Sequence, residues 1–170
     1  MKAEMKGFTN DEDELFAYFD ETSTTSMLNA LDDLDTFLEY EEPFDGIIAF
    51  SLGAALASTW IIDRVKRGIS IPFKCAVFLS AGMPVSVQEL HKGRRVDFDP
   101  NTSGVLINIP TSHLWGAQDW LADSAEKLSE MCQAAGRSVL VHSGGHQVPA
   151  SGEDLTRAVN TIRRCIILAQ

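Results

Sequence analysis

Three residues far apart in the chain, Ser51, Asp119 and His146, are of the types that together can turn an alcohol into a nucleophile. A serine hydroxyl is too weakly acidic to attack a carbonyl unaided. It needs a neutral imidazole to take its proton and an acid to hold that imidazole in the right tautomer. Ser51 lies within GIIAFSLGAALASTW, residues 46–60, where an apolar strand-like run breaks sharply into an Ala-rich helical run. A serine at such a strand-turn-helix junction is held in a strained backbone conformation with its hydroxyl above the sheet. Gly53, Ala54 and Ala55 let the helix begin close to the strand end. Position 49 is Ala where a G-x-S-x-G pattern has Gly, which adds a Cβ at a crowded turn.

Asp119 lies in WGAQDW and His146 in HSGGHQVP, each just beyond a predicted strand. The chain order Ser, Asp, His is the one expected when each residue comes from the carboxyl end of a later strand of a parallel sheet. All three then open on one rim. Each also has a plainer reading. The relaxed A-x-S-x-G pattern occurs by chance, and Asp119 suits a helix N-cap or a turn after Gly116. His146 is the most specific, because two glycines before it and a proline after it build a loop around one ring. His113 falls inside a strand, His91 sits among Lys92, Arg94 and Arg95, and His142 ends a strand. A His142/His146 metal pair would need helical spacing, which Gly144 and Gly145 oppose, so metal catalysis is not expected, and an acyl-serine mechanism calls for no organic cofactor.

The elements that must position these residues read as alternating helices and strands. Met27, Leu28, Leu31, Leu34, Phe37 and Leu38 recur at the helical period, and Pro43 stops that helix. Phe44–Phe50 reads as a strand without solvent-facing alternation, as for one covered on both faces. A helix follows from about Leu52 to Arg67. Lys74–Ser80, Thr111–Gly116 and Ser138–His142 are the next strands, residues 81–109 an irregular connection, and Ala122–Ala135 and Glu153–Leu168 the remaining helices. Leu155, Ala158, Val159, Ile162 and Ile166 are the expected apolar face of the last one. This alternation predicts an α/β fold with a mostly parallel sheet between helical layers.

At 170 residues and 45% hydrophobic, residues 1–170 are expected to form one domain burying roughly two-thirds of its unfolded surface. Residues 1–24 form an acidic N-terminal segment. Within it NDEDELFAYFD, residues 10–20, reads as a solvated turn leading to a packed helix, or as a segment lining the substrate. The formal net charge of -10 repels phosphate backbones and anionic membranes, so neither nucleic acid nor a membrane is an expected partner. The first residues lack a signal-peptide core, and no run approaches ~18 apolar residues. A cytoplasmic location is expected. Cys75, Cys132 and Cys165 are odd in number and widely spaced, as buried reduced thiols would be.

FDGIIAFSLGAALA, KCAVFLSAG, IPTSHLWGAQDWL and HSGGHQVP together resemble the FSH-type serine hydrolases of the α/β-hydrolase superfamily, over about residues 25–168. The resemblance implies a three-layer α/β-hydrolase-like fold, with Ser51 as nucleophile, Asp119 as orienting acid and His146 as general base. It assigns the Leu52 backbone N–H to one half of an oxyanion hole. It further implies cleavage of a small-molecule or carrier-bound ester or thioester through an acyl-serine, of the kind found in fungal polyketide pathways. An acyltransferase, or an impaired hydrolase fold kept as a binding or assembly module, are the alternatives. Members ordinarily carry a strand ending in a His-Gly loop before the first helix, and nothing like it precedes Met27, so the fold is expected to be N-terminally truncated. That loop supplies the second oxyanion donor, and losing one donor costs about 3 kcal/mol in the transition state. The serine strand would then be an uncovered edge. A homodimer across it, cover by residues 8–20, or poor solubility is expected.

Overall fold

The computed structural model describes residues 17–41 and 43–170. Residues 8–16 of the expected edge cover and most of the acidic segment therefore lie outside the described residues. Helix α1, Thr24–Tyr40, starts where the Ser23 hydroxyl accepts the Ser26 N–H at 3.1 Å, the usual way a serine satisfies a first-turn donor. It buries Met27, Ala30, Leu31 and Leu38. Then follow β1, Gly46–Phe50, and α2, Leu52–Lys66. The next elements are β2, Cys75–Leu79, the one-turn helices α3, Val87–Leu90, and α4, Pro100–Ser103, and β3, Thr111–Gly116. Helix α5, Ala122–Glu130, strand β4, Arg137–His142, and helix α6, Gly152–Leu168, complete the order.

The four strands form one parallel sheet in the order β1-β2-β3-β4, so each connection returns the chain to the adjacent position through a crossover. Successive side chains of a strand face opposite sides, and β2 shows the two sides. Ala76 and Phe78 join the larger apolar cluster, with Met27 and Leu31 of α1, Trp60, Ile61 and Ile62 of α2, and Leu128 of α5. Val77 and Leu79 join the smaller one, with Leu114, Leu140 and Ala158 and Ile162 of α6. Helices thus cover both faces, the three-layer arrangement expected. Helix α2 is buried from Ala54 through Ile62. Its far end is tied to α1 where Asp35 accepts from both the Trp60 indole at 2.9 Å and Arg64 at 2.6 Å.

Four details differ from the sequence reading. Strand β1 begins at Gly46 and does alternate, with Ile47 and Ala49 half-buried and Ile48 and Phe50 exposed. Among the described residues it is paired on one side only, with β2. Helix α5 ends at Glu130 because the chain turns to meet another segment. Met131 O accepts from Leu106 N–H and Ile107 N–H, Gln133 N–H donates to Ile107 O, and only a short 3-10 turn, Ala134–Gly136, follows. The connection 81–109 carries α3, α4 and an antiparallel bridge between Val85 and Asp97. On α6 the buried positions are Ala158 and Cys165, while Leu155, Val159 and Ile166 are exposed. The face turned to the sheet is the one of small residues, which lets the helix lie close.

Among the described residues no helix is long and apolar enough to cross a membrane, and no cluster of three or more metal-ligating side chains occurs. The three cysteines are buried free thiols.

Candidate active site

Ser51 stands between β1 and α2 with φ 53° and ψ -118°. A side chain at positive φ brings Cβ against the backbone, at a cost of roughly 1–3 kcal/mol that the surroundings must sustain. Here they do so on both sides of the residue. Ser51 N–H continues the sheet by donating to Leu79 O at 2.9 Å, and Ser51 O accepts the first helical N–H groups, Ala54 at 3.0 Å and Ala55 at 3.2 Å. The strand end and the helix start therefore pin one residue from two directions. Leu52 and Gly53 occupy the first turn of α2, and among the described residues their N–H groups meet no acceptor. They are backbone donors at the positive end of a helix.

His146 comes to Ser51 from β4 across the strand ends. Its Nε2 lies 2.9 Å from Ser51 Oγ, and its Nδ1 lies 2.9 Å from Asp119 Oδ1. An ionised carboxylate can only accept, so Nδ1 carries the proton, leaving Nε2 free to accept from the Ser51 hydroxyl. The structure thus brings together the three side chains picked out in the sequence. Asp119 also accepts the Leu121 N–H at 2.8 Å, so its turn-forming reading and its contact with His146 are both realised by the same oxygen. Burial pushes the Asp119 carboxyl up, but the Leu121 N–H, the Ser80 hydroxyl and His146 together outweigh it and hold it below the usual carboxylate range. It stays ionised beside the imidazole.

The His146 loop is held by backbone contacts that leave no room for a side chain at Gly116. Gly116 lies directly against the carbonyl groups of Gly144 and Gly145. Gln118 N–H donates to Gly144 O at 3.0 Å, Ala117 N–H to His142 O at 2.8 Å, and Gly144 N–H to His142 Nδ1 at 3.1 Å. Asp154 of α6 accepts both the N–H and the hydroxyl of Ser143, at 3.1 and 2.9 Å, and these bonds lower its carboxyl. Close approach thus explains Gly116, and a Cβ at Gly144 would press on the Gln147 and His142 side chains, whereas Gly145 has room for one; His142 supports the loop.

Two aromatic rings flank the imidazole. Trp120 is tilted by 30° at 4.0 Å between centroids, and Phe50 lies at 4.9 Å. Trp120 is 57% exposed and Tyr18 also stands at the surface, its Cε2 only 3.1 Å from where a Gly53 Cβ would be. Phe50, Tyr18 and Trp120 thus rim the site. Trp115, five residues before Trp120, is by contrast a core residue at 6% exposure, because it points inward from β3. Phe50 was missed, though it could have been found, since the residue before the serine must stand at the strand end; Tyr18 belongs to the segment 10–20 whose alternative reading was to line the substrate.

A parallel sheet with a serine at a strained strand-helix turn, an imidazole on its hydroxyl and a carboxylate on the imidazole defines the α/β-hydrolase class of fold. The model of the family "Serine hydrolase (FSH1)" matches residues 1–158, and the chain belongs to that family. Esterase FPY3 of Fusarium mangiferae is 35% identical over 165 residues, covering 94% of this chain and 75% of its own length. Hydrolase phiM of a fungal species is 29% identical over 128 residues, 72% of this chain and 59% of its own length. Against further curated esterases the chain spans between half and three-fifths of their length. Among solved structures, alpha/beta hydrolase domain-containing protein 10 from mouse is similar in fold, with a TM-score of 0.59 at 13% identity, over 88% of this chain and 72% of that one.

Proposed function

We propose that the chain is a serine hydrolase that cleaves a carboxylic ester or thioester through an acyl-Ser51 intermediate. The observation that carries this is the 2.9 Å contact between Ser51 Oγ and the unprotonated nitrogen of His146. In the first half-reaction the Ser51 hydroxyl proton passes to His146 Nε2 as Oγ bonds to the acyl carbon. The carbonyl π electrons move onto oxygen, where the Leu52 N–H meets the developing charge. Collapse of the tetrahedral intermediate expels the alkoxide or thiolate, which takes the proton from His146. Water then repeats the sequence on the acyl-enzyme and restores the serine. Asp119 stays ionised throughout and stabilises the transient imidazolium.

The rim of Phe50, Trp120 and Tyr18 favours an apolar acyl group, because aromatic rings gain most by covering apolar surface while one edge stays wet. A polyketide-type thioester or a small carboxylic ester fits that rim, as the family resemblance implies. If a second hydroxyl rather than water reaches the acyl-enzyme, the same machinery is an acyltransferase.

Fluorophosphonate labelling of the full chain tests the proposal. Labelling at Ser51 that is abolished in Ser51→Ala and falls ~10²-fold or more in His146→Ala is expected. A folded protein that takes no label overturns it, and favours a non-catalytic binding module. A panel of p-nitrophenyl esters and acyl thioesters of increasing chain length then tests the acyl preference, with longer apolar chains expected to lower KM.

A further inference from the structure

Among the described residues, only two that are not glycine have positive φ, Ser51 at 53° and Ser80 at 46°. The first is the proposed nucleophile. The second stands at the equivalent place on the neighbouring strand, directly after β2, and is 1% exposed. Glycine would adopt that backbone without strain. A buried serine there is costly twice over, since its hydroxyl must also find a partner away from water.

The surroundings show what the serine gives in return. Asp119 directs one oxygen, Oδ1, to both His146 Nδ1 and the Leu121 N–H. Its other oxygen, Oδ2, is buried and among the described residues receives no well-aligned hydrogen bond. A carboxylate oxygen left bare in the interior is among the least favourable arrangements a protein can hold. The Ser80 hydroxyl is the side-chain donor beside this carboxylate. The kink at Ser80 fixes it there, with its N–H donating to Leu114 O at 2.7 Å. Two residues on, Gly82 N–H approaches Ser51 O at 3.4 Å. One short turn, Ser80-Ala81-Gly82, thus touches both the acid and the nucleophile's backbone.

We infer that Ser80 is a positioning residue for the triad, donating its hydroxyl to the Asp119 carboxylate so that the carboxylate plane, and through it the His146 ring, is fixed. The inference rests on the proposed hydrolase reading and adds a fourth side chain to the hydrogen-bonded chain that orients His146. It also explains why the strained position is occupied by an oxygen-bearing residue.

Ser80→Ala and Ser80→Gly, made in the full chain, separate this role from packing. Both remove the hydroxyl, but glycine also relieves the positive φ, so Ser80→Gly is expected to melt no lower than Ser80→Ala. Both are expected to lose about tenfold in kcat on a p-nitrophenyl ester with little change in KM, the size of effect typical for a hydrogen bond to a charged group. Removing a donor from the carboxylate leaves more negative charge facing His146, which favours the imidazolium. The acid limb of the kcat/KM profile therefore moves up by about half a pH unit. The same shift is read without substrate from the NMR titration of the His146 ring, assigned by its loss in His146→Ala. Wild-type kcat together with an unmoved titration in both variants overturns the inference. An inactive, unlabelled wild type overturns the hydrolase reading instead, and the NMR titration still decides the role of Ser80.

Discussion

The two halves of the proposed catalytic rim are anchored in opposite ways. Asp119 and His146 leave from β3 and β4, and β3 is buried along its whole length and paired on both sides. Ser51 leaves from β1, which among the described residues is paired on one side only and exposes Ile48 and Phe50. The acid-base pair is therefore placed by tertiary packing, through loops in which glycine backbones touch. The serine is placed by local backbone geometry, with buried α2 behind it taking the place of a second neighbouring strand. Precision at a reacting atom can come from either source, but the two sources fail under different perturbations.

The sharpest way to break the packed half is Gly116→Ala. A Cβ there would collide with the carbonyl groups of Gly144 and Gly145. These are backbone atoms that can yield only if the His146 loop moves as a body. Misplacement of a catalytic group by about 1 Å costs ~10²-fold in rate, so we expect at least that loss in kcat. Overpacking is also expected to destabilise the fold by about 1–3 kcal/mol. Far-UV circular dichroism and ester turnover read the two effects separately. Wild-type turnover in Gly116→Ala would show that the loop is not held by this contact.

The packed half also carries an acid sensitivity of its own. His113, within β3, is 1% exposed, and burial with the nearby Arg137 charge pushes its imidazole from the ordinary 6.5 down to about 3. Its Nε2 lies 3.1 Å from Thr111 Oγ1, and its Nδ1 is buried without a partner among the described residues. The folded state thus holds His113 neutral over a range in which the unfolded chain binds a proton. Stability is full above pH 6.5 and falls as pH drops from 6.5 toward 3, with a slope of about 1.4 kcal/mol per pH unit from this group. The depressed Asp119 carboxyl adds a further loss only below its unfolded value, once it begins to protonate. In His113→Gln the pH-dependent part should shrink by about 2–3 kcal/mol between pH 7 and pH 4.5. Urea denaturation at both values checks it, and parallel curves for wild type and variant would show that His113 protonates freely in the fold.

The same contrast explains what the sequence could and could not reveal. The order of helices and strands was legible because apolar periodicity and Gly or Pro stops act within a few residues. The rim was legible because chain order and strand ends fix which loops share an edge, and Ser51, Asp119 and His146 do converge there. Features that depend on a distant partner were not legible. Helix α5 stops at Glu130 because Met131 and Gln133 are drawn to Leu106 and Ile107, which no local pattern announces. Trp115 and Trp120 have similar surroundings in the sequence, yet one packs in the core and the other tilts over His146. Ser80 is a serine among serines until the bare oxygen of Asp119 is seen beside it.

The smallest effect is expected on the exposed half. Asp45 O and Ser51 N–H face β2, and since parallel strands alternate, Gly46, Ile48 and Phe50 turn their N–H and C=O groups outward. Ile48 is 67% exposed beside a groove of about 450 Å³ lined by Ile47, Val77, Cys75 and Ile166. Unpaired backbone next to apolar surface is the template on which a sheet extends. We propose that a second copy docks here by antiparallel pairing of β1 with β1, an isologous contact that closes after two chains. Natural edges prevent such pairing with lysine. In Ile48→Lys the sedimentation coefficient should therefore fall to that of a monomer, while the unfolding free energy shifts by no more than about 0.5 kcal/mol, as for other surface substitutions. Fluorophosphonate labelling of Ser51 should persist, since the serine is held by α2 and by Leu79 rather than by anything beyond the edge. A wild-type chain that sediments as a monomer at all concentrations would show that this edge is left open. Loss of labelling on dissociation would instead mean that the nucleophile depends on the second copy.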